Sequence, residues 1–360
     1  MYRPVLALFA AYASLSLSAL ERPDAEFKVY QFGPDEIPQI DGDAADWSQV
    51  PDEYVVGTKE LWEDSGKHEG LLPESIDVKV KVAWVEGLNR LYFLYEAYDD
   101  YWDFSLPGLK NDTFEVVVDA DLSGGPLIDR FRNNAEHISE AEAWMSMHGT
   151  HAQNYHIFTP AQDKDWCMLW GPGQWIKELP YANYAYSYDF EPGESGTLTL
   201  EFWITPFDYA SSHGPDRSVE SKLVEDKLIG LAWAIIDYDD VDSTRNNGFW
   251  NLSTSHTMYG KADELVAFRL MPRERDRLPR FKASWRCQVV DREARKVAFY
   301  DESFGEVSKW HWDFGDGQTS SEANPTHQYA ETGHYVVTLT VENEAGERSK
   351  FSRVWDVSFK

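Results

Sequence analysis

The stretch MHGTHAQNYH, residues 147–156, places His148, His151 and His156 within nine positions, with Tyr155 beside the last of them. Imidazole exchanges protons near neutral pH and is a common metal ligand. A histidine–tyrosine pair beside a carboxylate can run general acid–base chemistry, such as proton abstraction in a polysaccharide lyase. Three histidines can also hold zinc, but Gly149 and Thr150 break any helix here. In a strand, His148 and His156 face one way and His151 the other. The spacing H-x2-H-x4-H then matches no zinc signature. Polar residues on the face of a β-sandwich are the competing reading, and it stays open.

Two acidic segments suit hard cations. DADLSGG, residues 119–125, sets Asp119, Asp121 and Ser123 at alternate positions before Gly124, an oxygen-donor pattern appropriate to Ca²⁺. The twelfth position of that loop is Arg130 rather than glutamate, so a turn whose aspartates cap its own amides competes with it. DYDDVDSTRNNGFWN, residues 237–251, gathers Asp237, Asp239 and Asp240 near Arg245, Asn246 and Asn247. These groups can ligate Ca²⁺ or hydrogen-bond sugar hydroxyls; a solvated acidic loop is the alternative.

Aromatic residues form a third constellation. Trp166, Trp170 and Trp175 precede Tyr181, Tyr184, Tyr186 and Tyr188, with Gly171-Pro172-Gly173 interrupting regular structure; Trp144 lies upstream and Trp250 downstream. Flat rings that remain exposed are suited to stacking on sugar rings. We therefore take Trp144, Trp166, Trp170, Trp175, Tyr184, Arg245 and Trp250 as ligand-binding candidates. His148, His151, Tyr155 and His156 are the catalytic candidates. The alternative for the aromatic segment is a lid over the core.

The elements that must position these groups read as strands. DVKVKVAWV and RLYFLYEAYDD alternate or run apolar around the turn EGLN. DTFEVVVDADLSGG, GTLTLEFWI and LIGLAWAIIDYDD continue the pattern, and SVESKLVEDKL is the best short helical candidate. An all-β chain follows: a large antiparallel β-sandwich over 34–270, then a small immunoglobulin-like sandwich over 282–358. Between them, residues 271–281 form an extended polar linker; RLMPRERDRLPRF, residues 269–281, carries two prolines and five arginines.

Composition narrows the partners. Aromatics make up 15% of the 360 residues, with 15 Trp, 19 Tyr and 19 Phe. The net charge of −29 falls entirely on residues 1–268, since residues 269–360 hold 15 basic and 15 acidic side chains. Such a field repels nucleic acid and anionic membranes and favours neutral glycans over strongly anionic ones. Residues 1–19 read as a signal peptide, with Arg3 ahead of an apolar stretch from Val5 to Leu17. This predicts export to the periplasm, cell surface or medium, without membrane insertion. Two cysteines, Cys167 and Cys287, can be paired or free.

Two resemblances sharpen the expectation. The motif Trp312-Asp313-Phe314-Gly315-Asp316-Gly317, then Asn324 to Tyr329 and Gly333-His334-Tyr335, resembles a PKD domain. That resemblance implies a spacer or interaction module on exported proteins, often beside polysaccharide-acting domains. Asp313, Asp316 and His327 read as structural turn residues.

Ile40-Asp41-Gly42 with Asp46-Trp47, then LYFLYEAYDD, NDTFEVVVDAD, LTLEFWITPFDY and FWNLS, resemble a family 9 carbohydrate-binding module of the DOMON-like group. This implies sugar binding by aromatic stacking, often with structural calcium, and other exported carbohydrate-active proteins as partners. A polysaccharide hydrolase or lyase with its site in 137–190 is the alternative. A haem module, as in some DOMON-like proteins, using Met145, Met147 and the histidines is a weaker one.

Overall fold

The computed structural model describes residues 20–68, 75–104, 109–123, 125, 149–161, 165–239, 245–274 and 281–357. Trp144, Met145, Met147, His148, Asp240 and residues 1–19, with the expected signal peptide, lie outside the described residues. Chain contacts divide the molecule into two units between Arg273 and Glu274.

The longer strands of the first unit are β1 (Glu21–Gln31), β2 (Asp77–Trp84), β3 (Leu91–Asp99), β4 (Thr113–Asp119), β5 (Gln153–Ile157), β6 (Cys167–Trp170), β7 (Ala182–Tyr188), β8 (Gly196–Ile204), β9 (Leu228–Asp237), β10 (Gly248–Asn251) and β11 (Val266–Leu270). They form two layers. One runs β6-β5-β4-β9-β11-β1 and the other β1-β2-β3-β8-β7, because β1 pairs with β11 along its length and with β2 at Tyr30 and Gln31. β2 and β3 form the hairpin that the turn residues announce, with Gly87 and Asn89 both at positive φ.

Several strands read as continuous apolar runs because both of their faces are covered. Val80, Val82, Phe93, Tyr95, Leu200, Phe202, Val116, Val118 and Trp233 meet between the layers. On the far side of β2, β3 and β8, the segment 32–54 packs Phe32, Trp47, Val50 and Tyr54 against Tyr92, Leu94 and Trp203. Met258, Ala262 and Leu265 cover Val117, Ala232 and Ala234 in the same way on the other layer. Burying both faces turns a period-two pattern into an apolar block.

Among the described residues there is no α-helix. SVESKLVEDKL instead forms a two-residue strand, Val219–Glu220, paired with Phe207–Tyr209. The Ser221 amide donates to the Pro206 carbonyl, so tertiary pairing overrides the helical spacing.

The second unit contains β12 (Trp285–Asp291), β13 (Lys296–Asp301), β14 (Lys309–Asp313), β15 (Thr326–Gln328), β16 (His334–Glu342) and β17 (Arg348–Asp356). Sheets β12-β13-β15 and β14-β16-β17 enclose Trp285, Phe299, Trp312, Phe314, Tyr329 and Leu339. Asp313 caps the Gly315 amide, and Asp316 accepts from Gln318 N and binds His327, whose ring lies 4.0 Å from that of Phe314. These groups are structural, as expected. Gly315 sits at φ 81°, and a Cβ there would meet the Val336 backbone at 2.8 Å.

Candidate functional site

The most exposed aromatic array lies on β7, the last strand of its layer. Tyr184, Tyr186 and Tyr188 pair opposite Phe202, Leu200 and Leu198, so their rings project from the face that elsewhere forms the core. Their neighbours on β8 are buried, yet the three tyrosines are 39%, 40% and 49% exposed. Successive rings are nearly parallel, with centroids 6.5 and 6.2 Å apart and interplanar angles of 4° and 16°. The row continues inward at both ends. Trp166 stacks on Tyr184 at 4.9 Å, and Tyr188 meets Phe190, which stacks on Trp102.

The Ile40-Asp41-Gly42 and Trp47 motif holds this strand from behind. The Glu201 carboxylate on β8 accepts from Asp41 N at 3.1 Å, Gly42 N at 2.8 Å and Trp47 Nε1 at 2.8 Å. Ser187 Oγ on β7 donates to the Gly42 carbonyl at 2.7 Å. A Cβ on Gly42 would lie 2.7 Å from the Tyr186 carbonyl carbon, and the residue has φ 85°. Glycine is therefore required where this loop meets the tyrosine strand.

A second cluster stands where the two layers meet. Asp99 ends β3, Asp112 precedes β4 and Asp237 ends β9; one carboxylate oxygen from each lies within 4.8 Å of the others. All three residues are buried. Asp99, Asp100 and Asp239 make a contiguous second triplet. Asp112 accepts from Asp103 N at 2.6 Å and Tyr238 N at 2.8 Å. Oδ1 of Asp237 and Oδ1 of Asp239 are buried without a hydrogen-bond partner. Burial, reinforced by the neighbouring carboxylates, pushes Asp99 up to about 7 and Asp237 up to about 9. Asp112 is raised well above the usual carboxylate range for the same reason.

The histidine stretch is dispersed. Tyr155 is fully buried between the layers with its hydroxyl unpartnered, while the adjacent His156 projects from the opposite face. His156 Nδ1 lies 3.9 Å from Glu115, and its ring meets Trp170 edge-on. His151 packs against Tyr209 instead. Tyr155 and His156 therefore cannot serve one reacting group, because alternate residues of a strand point to opposite faces.

The other expected ligand residues separate likewise. Trp166 is buried and donates to the Lys177 carbonyl; Trp175 packs on Tyr181 and Phe207 and donates to Ser211 O. Trp250 is 1% exposed, with the His68 ring tilted against it at 36°, so it presents no open face. Trp170 is half-buried, and Arg245 is exposed, away from the tyrosine row in sequence. Asp119 and Asp121 both accept from Ser123 N, the self-capped turn rather than an assembled cation loop. Cys167 and Cys287 are free thiols.

Sequence reasoning placed Tyr184 in the site and Asp237 and Asp239 in an acidic cluster. It missed Asp99, Asp100 and Asp112. A signal existed: the tripeptide Tyr-Asp-Asp recurs at 98–100 and 238–240, each time where a buried strand leaves the core.

Residues 288–357 match the family model of the PKD domain. A stretch of 46 residues is 56% identical to collagenase ColA of Bacillus cereus, and one of 46 residues is 50% identical to the pre-pro-metalloprotease PrtV of Vibrio cholerae. In both cases the match covers 13% of this chain and 5% of the relative. Among solved structures, a family 9 carbohydrate-binding module from Caldicellulosiruptor kristjanssonii in complex with cellotriose is similar over 71% of this chain and 98% of that one, with TM-score 0.43 and 14% identity. The same module with glucose gives the same TM-score and identity. The PKD1 domain of the Vibrio cholerae metalloprotease PrtV covers 22% of this chain and 96% of its own, with TM-score 0.20 and 32% identity. The second unit is PKD-like, and the first has the all-β sandwich architecture.

Proposed function

We propose that the first unit binds a neutral oligosaccharide or polysaccharide along the tyrosine row of β7. The observation that carries this reading is the exposure of Tyr184, Tyr186 and Tyr188 as a regular row of near-parallel rings. A soluble protein leaves such a contiguous aromatic patch open where something docks on it. Sugars offer apolar C–H faces to the rings and hydroxyls to the phenolic oxygens and to Asp165 and Glu178, whose charges act on Tyr184. Because the row runs along a strand, several consecutive sugars of one chain are engaged. The net charge of −29 favours uncharged glycans. The apolar leader at residues 1–19 supports a role outside the cytoplasm, with the PKD-like unit as a spacer or docking module beside other exported carbohydrate-active proteins.

The test is calorimetric titration of the chain with neutral oligosaccharides of increasing length, beginning with glucose and cellotriose. Affinity should rise with length until the row is filled. Tyr186→Ala should weaken binding of the longer sugars about tenfold or more, equivalent to about 1.4 kcal/mol. Trp170→Ala, on the other layer, should leave it unchanged. Binding that is indifferent to Tyr186→Ala would place the sugar elsewhere; no binding of any neutral glycan would remove the reading. Incubation of the same mixtures and measurement of new reducing ends tests for cleavage. None is expected, because the described histidines and Tyr155 do not converge.

A further inference from the structure

We infer that the tyrosine row of β7 takes glycans whose sugars carry protonated amines in preference to their uncharged counterparts, with the ammonium groups seated on open ring faces between acidic flanks. This rests on the row being the glycan-binding face and adds to it the chemical class of the sugar. Elsewhere the chain covers aromatic faces with its own cations. The Arg90 guanidinium lies 3.9 Å from the Trp203 ring centroid, that of Arg286 lies 4.1 Å from Tyr300, and the Lys28 ammonium lies 5.7 Å from Tyr54. Among the described residues, no lysine or arginine lies over Tyr184, Tyr186 or Tyr188. Their faces are negative in the ring quadrupole and attract a cation from outside.

The flanks carry the matching charge. Residues 178–196 contain Glu178, Asp189, Glu191 and Glu194 but no lysine, arginine or histidine. All four carboxylates belong to exposed residues. Lys177, just ahead of this run, is paired with Asp165 and donates to the Cys167 carbonyl at 3.2 Å. Burial raises the Tyr184 hydroxyl above its ordinary value, and Tyr186, Asp165 and Glu178 add to it, so both carboxylates act on that end of the row. At the other end, Trp102 N donates to the Glu194 carbonyl at 3.2 Å and Trp102 O accepts from Gly193 N at 2.8 Å. Trp102 stacks on Phe190, which meets Tyr188, so the turn carrying Glu191 and Glu194 is held beside the last tyrosine. An ammonium on these rings therefore has carboxylates at both ends of the row. The field that disfavours anionic glycans draws cationic ones in. A polymer of amino sugars repeats its ammonium at every unit, so rings 6.5 and 6.2 Å apart act together.

The experiment is calorimetric titration of the full chain at pH 5.5, where sugar amines are charged, with glucosamine hexamer and two uncharged counterparts, N-acetylglucosamine hexamer and cellohexaose. An exposed cation–π contact is worth about two- to fivefold in affinity, so across three rings the amino hexamer should bind about tenfold or more tightly in about 20 mM salt. In about 0.5 M NaCl that margin should shrink to about threefold or less, because the charges are screened. Tyr186→Ala should weaken the amino hexamer and the neutral sugars that bind. Glu191→Gln with Glu194→Gln should narrow the low-salt margin to about threefold. Neutral sugars bound as tightly as the amino hexamer, with Tyr186→Ala weakening both, would overturn the inference and leave the row a neutral-glycan site. No binding of any of the three would remove the row reading and this inference with it. Amino-hexamer binding that survives Tyr186→Ala undiminished, or that a lysine hexapeptide matches, would also overturn it, since the attraction would then be to positive charge alone.

Discussion

Glu201 buries its carboxylate completely and satisfies it with three N–H donors from one short motif, Asp41 N, Gly42 N and Trp47 Nε1. Each of those donors would be left without an acceptor in Glu201→Ala. We expect a loss of about 3 kcal/mol or more, read as a lower urea midpoint. Glu201→Gln should lose less, since its amide oxygen still accepts. Gly42→Ala combines a left-handed backbone with a contact of 2.7 Å to the Tyr186 carbonyl carbon. A cost of about 2 kcal/mol follows from the backbone strain alone, and the displaced strand should weaken glycan binding in the same variant. If calorimetry shows unchanged affinity in a destabilised Gly42→Ala chain, the loop does not position the tyrosines.

At the scale of elements, the meeting of β3, β4 and β9 concentrates Asp99, Asp100, Asp112, Asp237 and Asp239, faced by Tyr95 and His68. Burial raises Asp99 to about 7, with the Asp239 and Asp100 charges adding to it, and Asp237 to about 9, with the Asp99 and Asp239 charges adding to it. Both bind protons more tightly when folded than when unfolded. Their contribution to stability is therefore fully present below the unfolded value near pH 4 and is lost as pH rises through about 7 and then about 9. The chain should melt several degrees lower at pH 8.5 than at pH 5. A melting temperature flat across that range would contradict this electrostatic reading of the strand ends. β7 presents the complementary case: it pairs on one side only, and its tyrosines are exposed because, among the described residues, the facing layer reaches no further than Trp166 at Tyr184.

Among the described residues, the core between the sandwich layers around Phe93, Phe202 and Trp233 and the core around Trp285, Phe299 and Trp312 have no members in common. Each should respond to its own mutations. Phe299→Ala should destabilise the second unit by about 3–5 kcal/mol, lowering its calorimetric transition while leaving that of the first unit and glycan affinity unchanged. A coupled shift of both transitions would show that the units unfold together. The excess of acid lies before residue 269, where the tyrosine row and the aspartate cluster are, while residues 269–360 balance 15 basic against 15 acidic side chains.

The sequence by itself determined the all-β class, the β2–β3 hairpin, the PKD-like unit and its turn residues, because each depends on short-range patterns: alternation, paired turn residues and glycines at positive φ. It also determined that the segment 163–190 is aromatic beyond what a core needs. Only the tertiary structure decided which rings face outward. Trp166 and Trp250 are packed inside and Trp175 lies partly buried against the core, while Tyr184, Tyr186 and Tyr188 are open, since exposure depends on where the opposite layer ends. It likewise brought Asp99, Asp112 and Asp237 together from separate strands and parted Tyr155 from His156. Residues distant in the chain meet through sheet order and register, whereas adjacent residues of a strand are held on opposite faces.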